Sequence, residues 1–180
     1  MVETRENAYM LEGVSFGLVD GLVCLLGMTM GVAEATRSPT LVIITGIVGG
    51  IANAFGNSIG FFISQSTERG VQIHEAKEHG MRTRIHSQME VLMSGALSFF
   101  ATVLPLMILL IPYLLLSVEN AIVLTFLLGT ALTFVLGTYV GKLSGEGPYR
   151  TGLKYAALAV AGAVISYLIG DALNHLFKIC

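Results

Sequence analysis

Five long apolar stretches constrain the fold of this 180-residue chain more than any other feature of the sequence. A transmembrane helix requires about 20 consecutive, mostly apolar residues, and each stretch has at least that length. We place the spans at residues of about 11–33, 40–65, 90–116, 120–141 and 151–176. The sequence therefore predicts an all-α integral membrane protein, a single membrane domain over residues 1–180 that crosses the bilayer five times.

The composition excludes several classes of protein. Hydrophobic residues make up 54% of the chain and charged residues 12%, against roughly 25% charged residues in a typical soluble domain. A formal net charge of −2 gives no basic surface for nucleic acid, so we expect a lipid bilayer and no nucleic acid as partner. The sequence contains no phosphate loop, nucleophile elbow or haem-attachment motif. We therefore predict that the protein is not an enzyme and holds no permanently bound cofactor.

The basic residues predict the orientation of the chain in the membrane. With the N-terminus in the cytoplasm, eight of the ten Lys and Arg residues fall in cytoplasmic segments, as the positive-inside rule requires. An odd number of spans then places the C-terminus outside. We predict a multi-pass protein of the cell membrane, with residues 66–89 as a short cytoplasmic helical segment between helices two and three.

Glycine recurs at helical spacing in the first span. Gly13, Gly17 and Gly21 are four residues apart, and Gly27 and Gly31 continue the series. Small residues at this spacing let helix backbones approach closely where lipid supplies no hydrophobic driving force for association. Glycine is also common in membrane helices in general, but a row of three favours a tight bundle with contacts between subunits.

One ionisable residue, Asp20, lies deep in the first predicted span. It is about eight residues, or roughly 12 Å, from the cytoplasmic end of the span. Because a charge near the bilayer centre costs roughly 2.5–3.5 kcal/mol, such a residue is a candidate for a functional site. Burial disfavours the charged carboxylate, so a proton and a cation would compete for it. The alternative is a structural aspartate that is hydrogen-bonded to a neighbouring helix.

We predict that four further residues line a transport path together with Asp20. At about 100° per residue, Cys24 and Glu34 share the Asp20 face of the first span, and Asn53 and Asn57 share one face of the second. Carboxylate and carboxamide oxygens suit a hard or borderline divalent cation. Carboxamides in a bilayer also serve as hydrogen-bond partners between helices, and both interpretations of the asparagines stay open.

The polar segment at residues 66–89 combines carboxylates with imidazoles. If it is one helix, most of these side chains fall within an arc of roughly 60°, and together they suit Fe²⁺, Mn²⁺ or Zn²⁺. With Asp20, the predicted metal ligands are Glu68, Glu75, Glu78, His79, His86 and Glu90. A solvated helix with balanced charges is the alternative, and Gly70 and Gly80 are positions at which the helix could break.

The order of these motifs resembles the vacuolar iron transporter family, a group of small divalent-metal/proton exchangers. The sequence Gly13-Val-Ser-Phe-Gly-Leu-Val-Asp20-Gly21-Leu-Val is similar to the Asp-Gly signature of that family. The segment from Gly137 to Leu153 is similar to the family's connection between helices four and five. The resemblance covers nearly the whole chain and indicates a short member of the prokaryotic type.

The resemblance implies a homodimer whose first helices line a central path. It further implies a proton antiporter that collects divalent metal, Fe²⁺ with Mn²⁺ or Zn²⁺ as alternatives, on the cytoplasmic side and exports or sequesters it. Asn57 stands where the family has a methionine and Gly49 where it has an acidic residue, and loss of the soft thioether favours harder ions. The alternative function is a non-transporting membrane scaffold or metal sensor whose cytoplasmic helix binds metal or a partner.

Overall fold

The computed structural model describes residues 8–79 and 85–177. These residues form five α-helices, which we number in chain order: α1 Ala8–Thr36, α2 Pro39–His79, α3 Gln88–Leu115, α4 Val118–Leu143 and α5 Pro148–Phe177. All five are long and apolar enough to cross a membrane, which confirms the predicted five-span, all-helical architecture. Every helix end lies within three residues of its predicted position except the end of α2.

The helix α2 continues for about four turns beyond its predicted span. It passes through Gly70 without a break and ends at His79. Its 41 residues extend over roughly 60 Å, about twice the ~30 Å thickness of a hydrocarbon core. The segment that we predicted between the second and third helices is therefore, as far as His79, an extension of α2, which we call the α2 extension (residues 66–79).

A capping box starts α3. The Ser87 hydroxyl accepts a hydrogen bond from the Glu90 N–H at 3.1 Å, and the Glu90 carboxylate accepts one from the Ser87 N–H at 3.0 Å. Residues 85–87 are not helical. A single helix from residue 66 to residue 90 is therefore wrong, and His86 and Glu90 do not continue the face of the α2 extension.

Neighbouring helices in the sequence run in opposite directions, and α1 packs against all four of the others. Where α1 meets α3, residue numbers rise together along both helices, so these two helices are parallel. The core surrounds the middle of α1 and includes Leu25, Leu26 and Leu109, each fully buried. Most other large apolar side chains face outward, as expected of a bundle that lipid surrounds.

Three glycines bring the backbone of α1 against the backbone of α3. A Cβ atom added at Gly13 or Gly21 would lie 2.5 or 2.6 Å from a carbonyl oxygen of α3, closer than such atoms ever approach. The facing pairs are Gly13 with Ser94, Gly17 with Ser98 and Gly21 with Thr102. The absence of three side chains therefore sets the distance between these two helices.

The next two glycines of the series contact a different helix. A Cβ atom at Gly31 would lie 2.9 Å from the carbonyl oxygen of Ser166 in α5, and Gly27 faces the Ser166 hydroxyl. Gly170 of α5 in turn faces the carbonyl oxygen of Gly31. The row that looks continuous in the sequence therefore serves two separate interfaces, α1 with α3 and α1 with α5.

The substitution Gly17→Ala should lower the free energy of unfolding by about 1–3 kcal/mol, the usual cost of overpacking. The new methyl group would meet the Ser98 carbonyl oxygen and the Ala101 methyl group. Gly56→Ala in α2 is the matched control, because a Cβ atom there has no neighbour within 4 Å, and helix propensity alone should stabilise it by up to about 1 kcal/mol. Reversible unfolding in mixed micelles measures both variants, and equal effects would contradict the close approach.

Candidate metal site in the membrane

Asp20 lies where α1, α2 and α3 meet. Its Oδ2 accepts hydrogen bonds from the Nδ2 atoms of Asn53 and Asn57, each at 2.7 Å. Nδ2 of Asn57 also donates to Thr102 Oγ1 at 3.1 Å, and that hydroxyl donates to the Ser98 carbonyl oxygen at 2.8 Å. Asp20, Asn53, Asn57 and Thr102 thus form one hydrogen-bonded group, which we call the Asp20 network.

Local sequence on three helices positions this network. Asn53 and Asn57 are one turn apart, so their amide groups point to the same side of α2. Asp20 lies between Gly17 and Gly21, and these glycines let α3 come close enough for the fully buried Thr102 to reach Asn57. The predicted grouping of Asp20 with Asn53 and Asn57 is therefore present in the structure.

Sequence reasoning missed Thr102, although the sequence contains a signal for it. Ser94, Ser98 and Thr102 form a row of small residues at a spacing of four in α3. All three are fully buried, and they pair with the glycine row of α1. Two matching rows of small residues in separate spans indicate which helices pack together, and they would have placed a hydroxyl beside Asp20.

A cavity of about 480 Å³ lies between α1, α4 and α5 and borders Asp20. Ser15 and Tyr155 add polar groups to a lining that is otherwise apolar. At about 30 Å³ per water molecule, the cavity has room for an ion with several waters. The Asp20 carboxylate is therefore held by α2 on one side and borders an open volume on the other.

The network is built from few ionisable groups. Two amide N–H groups point at Asp20 Oδ2, each as a hydrogen-bond donor. In the part of the chain that the structure describes, no three His, Cys, Asp or Glu side chains converge as a metal cluster would. A cation at this site would therefore depend on one carboxylate, neutral oxygen atoms and water.

Two sulfur-containing side chains follow Asp20 along α1. Cys24 lies one turn beyond Asp20 and is partly buried, and Met28 lies one turn further. A Cβ atom at Gly49 of α2 would lie 2.6 Å from Met28 Cε and 2.8 Å from Met28 Sδ. The thioether of Met28 thus packs against Gly49, a contact between helices that inspection of either span alone does not reveal.

Glu34 lies about 21 Å further along α1 than Asp20, at 1.5 Å per residue, and is only 3% exposed. Its carboxylate pairs with Arg37, which ends α1 in the left-handed region at φ 47°. Asn174 donates a hydrogen bond to the Glu34 carbonyl oxygen at 3.4 Å. Partial desolvation lowers the pKa of Arg37, but the contacts with Glu34 outweigh it and raise that pKa above its ordinary value. The predicted path residue is therefore part of an ion pair.

The predicted metal ligands on the α2 extension are mostly at its surface. Glu68 is exposed and accepts a hydrogen bond from Gln72 at 3.2 Å. Glu78 pairs with His74 at 3.3 Å, and Glu75 is partly buried. The side chain of His79 lies outside the described residues. The role of these side chains as metal ligands stays a prediction.

The remaining two predicted ligands lie at the junction of the α2 extension with α3. The His86 N–H donates to Gln72 Oε1 at 3.0 Å, and the His86 carbonyl oxygen accepts a hydrogen bond from Arg69 Nε at 2.8 Å. Glu90 belongs to the capping box of α3. In this structure the backbone of His86 joins the two helices, and Glu90 caps the start of α3.

Five spans that bring one carboxylate and two carboxamides together define a multi-pass helical membrane protein with a polar site inside the bilayer. The chain belongs to the VIT family, whose sequence profile matches residues 12–80 and 69–171. The resemblance that the motifs indicated is thereby confirmed.

Of three relatives compared, two have names that agree with this assignment. The chain is 28% identical over 165 residues to the uncharacterized protein MJ0645 of the archaeon Methanocaldococcus jannaschii, covering 87% of this chain and 86% of that protein. It is 28% identical over 107 residues to vacuolar iron transporter homolog 1 of Arabidopsis thaliana, covering 57% of this chain and 54% of the plant protein. VIT-like transporter 1a of Glycine max is 29% identical over 76 residues, which are 42% of this chain and 37% of that protein.

A double-mutant cycle should detect the bond between Asp20 and Asn53, because Asn53 has Asp20 as its hydrogen-bond partner. We expect Asp20→Ala and Asn53→Ala to show a coupling energy of about 0.6 kcal/mol and at most ~1.7 kcal/mol, the range of hydrogen bonds between membrane helices. Asn120→Ala, at an exposed position in the first turn of α4, should show no coupling to Asp20→Ala. Unfolding in mixed micelles gives all the values, and zero coupling for Asn53 would contradict the network.

Proposed function

We propose that this protein transports a divalent metal cation, Fe²⁺ or Mn²⁺, out of the cytoplasm in exchange for protons. The observation that carries the proposal is Asp20, an ionisable side chain inside a span that is held by two amides and borders a cavity. Ionisable residues in such positions are costly and mark ion pathways and proton relays. Membership of the VIT family and the name of the Arabidopsis relative support iron as a substrate.

The Asp20 network offers oxygen ligands after one local movement. In the arrangement described, Asn53 and Asn57 direct their amide nitrogens towards Asp20. Rotation of each carboxamide by about 180° exchanges the nitrogen for Oδ1, which is an acceptor and a metal ligand. One carboxylate oxygen, two carboxamide oxygens and waters from the cavity suit a hard or borderline divalent cation.

Competition between a metal ion and a proton for the Asp20 carboxylate couples metal export to proton entry. A metal ion binds the deprotonated form of Asp20, and a proton binds to the same carboxylate group, so the two exclude each other. Metal and proton therefore occupy the site in alternation. Entry of protons from the outside would return the network to its empty state and drive further export of metal.

The path continues along α1 beyond the network. Cys24 and Met28 present sulfur on the face that follows Asp20, and sulfur ligands favour Fe²⁺ over Mg²⁺ or Ca²⁺. Met28, packed against Gly49, supplies a thioether that α2 lacks at Asn57. Glu34 forms the far end of the path, where its ion pair with Arg37 must open for the ion to leave.

The opposite end of the bundle collects the metal. Five of the six Lys and Arg residues in the described parts of the chain lie at this end, which the positive-inside rule assigns to the cytoplasm. The acidic and histidine side chains of the α2 extension, Glu68, Glu75, Glu78 and His79, are the first ligands that a cytoplasmic cation meets. His86 and Glu90 stand at the base of this extension.

A homodimer completes the proposal. Asp20 is partly exposed at the surface of a single bundle, and exposure of a carboxylate to lipid is unfavourable. A second copy packed against this part of α1 would replace lipid beside Asp20 and enclose the path between two subunits.

Asp20→Asn should abolish metal flux, because asparagine keeps the shape of the side chain but neither binds a proton nor carries the charge that attracts a cation. The measurement is Mn²⁺ uptake into proteoliposomes with an acidic interior. Asp171→Asn is the matched control, since that carboxylate is 48% exposed near the end of α5 and pairs with His175, and we expect nearly normal flux. Equal flux in Asp20→Asn and wild type would contradict the mechanism, and metal binding by the wild type without flux would favour a sensor.

Glu75→Gln and Glu78→Gln should raise the KM for Mn²⁺ in the same assay while kcat changes little, because these side chains act before the ion enters the membrane. Loss of one group from a metal site typically costs at least about 10-fold in affinity. Glu119→Gln, in the first turn of α4 at the other end of the bundle, serves as the control. An unchanged KM in both α2 variants would remove the α2 extension from the collection step.

A further inference from the structure

A groove between α2 and α3 has the cationic side chain of Arg69 at one end and an apolar floor. Its first part is a cavity of about 520 Å³ whose polar lining residues are Ser66, Arg69 and Gln88. Phe62 and Leu92 line this cavity and also a second one of about 220 Å³, deeper along the same two helices. The two cavities therefore adjoin, and we call them together the α2–α3 groove.

Arg69 is fixed in place but not neutralised. Its Nε donates a hydrogen bond to the His86 carbonyl oxygen at 2.8 Å. Among residues 8–79 and 85–177, no carboxylate forms an ion pair with Arg69, and its Nη atoms have no hydrogen-bond acceptor. Within those residues, four of the five N–H donors of the guanidinium group have no acceptor, and they face the mouth of the groove, where an anion could bind.

The dimensions of the groove match one leaflet of a bilayer. Arg69 lies about 45 Å along α2 from Pro39 at 1.5 Å per residue, and a bilayer with its headgroups is about 40–45 Å thick. With Pro39 at the outer headgroups, Arg69 would lie at the level of the headgroups on the other side. Ser58 lines the deeper cavity and lies roughly 16 Å from Arg69 along α2. This distance is close to the thickness of one leaflet, half of a ~30 Å hydrocarbon core.

We propose that the α2–α3 groove binds one anionic phospholipid. The phosphate lies on the Arg69 guanidinium group, with Ser66 and Gln88 as further hydrogen-bond partners, and an acyl chain follows Phe62 and Leu92. The apolar floor selects a lipid over free phosphate, and the unpaired cation favours an anionic headgroup over a zwitterionic one. The bound lipid bridges the α2 extension and the first turns of α3.

The test compares three probes on the purified full-length protein in detergent: phosphatidylglycerol, phosphatidylcholine and inorganic phosphate. We expect native mass spectrometry to show phosphatidylglycerol retained about 5-fold more tightly than phosphatidylcholine, the effect of one basic residue near the surface. Only phosphatidylglycerol should raise the unfolding temperature. Arg69→Gln should remove the preference, whereas Lys142→Gln, in the last turn of α4 at the same end of the bundle, should keep it.

A second variant separates lipid binding from folding. Ala96→Phe would fill the deeper part of the groove, where Ala96 is exposed, and leave the bond between Arg69 and His86 intact. We expect weaker retention of phosphatidylglycerol with an unchanged unfolding temperature in lipid-free detergent. Equal retention of both lipids, stabilisation by inorganic phosphate, or unchanged binding in Arg69→Gln would each overturn the inference, whatever the outcome of the transport assay.

Discussion

The contact between the backbones of α1 and α3 is the constraint on which the rest of the structure depends. Lipid gives two apolar helices no hydrophobic reason to associate, so they are held by close packing. Three missing side chains on α1 allow that packing against α3. Asp20 lies between two of these glycines, so the packing that joins the helices also places its carboxylate beside the amides of α2. The packing motif and the candidate site are therefore one feature of the sequence.

The energetics of the Asp20 network argue for function over stability. A hydrogen bond between membrane helices contributes about 0.6 kcal/mol and rarely more than ~1.7 kcal/mol. Two such bonds to Asp20 offset only about 1.2–3.4 kcal/mol, against roughly 2.5–3.5 kcal/mol for an ionised carboxylate near the bilayer centre. An apolar residue in place of Asp20 would avoid this cost altogether. At the typical bond strength the two bonds leave about 1.3–2.3 kcal/mol of this cost uncompensated, and an ion that the network binds is the more ready explanation for keeping it.

Hydropathy predicts the five spans well because each helix must match the same bilayer. Hydropathy does not predict the α2 extension, because a polar helix outside the hydrocarbon core carries no such signal. Gly70 does not end the helix, because its cost of about 1 kcal/mol is small and because Arg69 and Gln72 bind the following segment. The depth of Asp20 in its span and the shared face of Asn53 and Asn57 could be predicted from spacing within single helices. Thr102 and Met28 depend on the register between helices, which a single sequence shows only through matching rows of small residues.

A transport site must release its ion as well as bind it, and the composition of the Asp20 network fits that requirement. Conduction needs binding that is strong enough to draw an ion from water and weak enough to let it go. Within the described parts of the chain no three His, Cys, Asp or Glu side chains cluster as a metal site would, so at Asp20 one negative charge, neutral oxygens and water would hold a divalent cation. Neutral ligands can return to hydrogen bonding with the carboxylate when the ion leaves, and this return lowers the energy of the empty state. The same amide groups thereby limit the affinity of the site and speed its emptying.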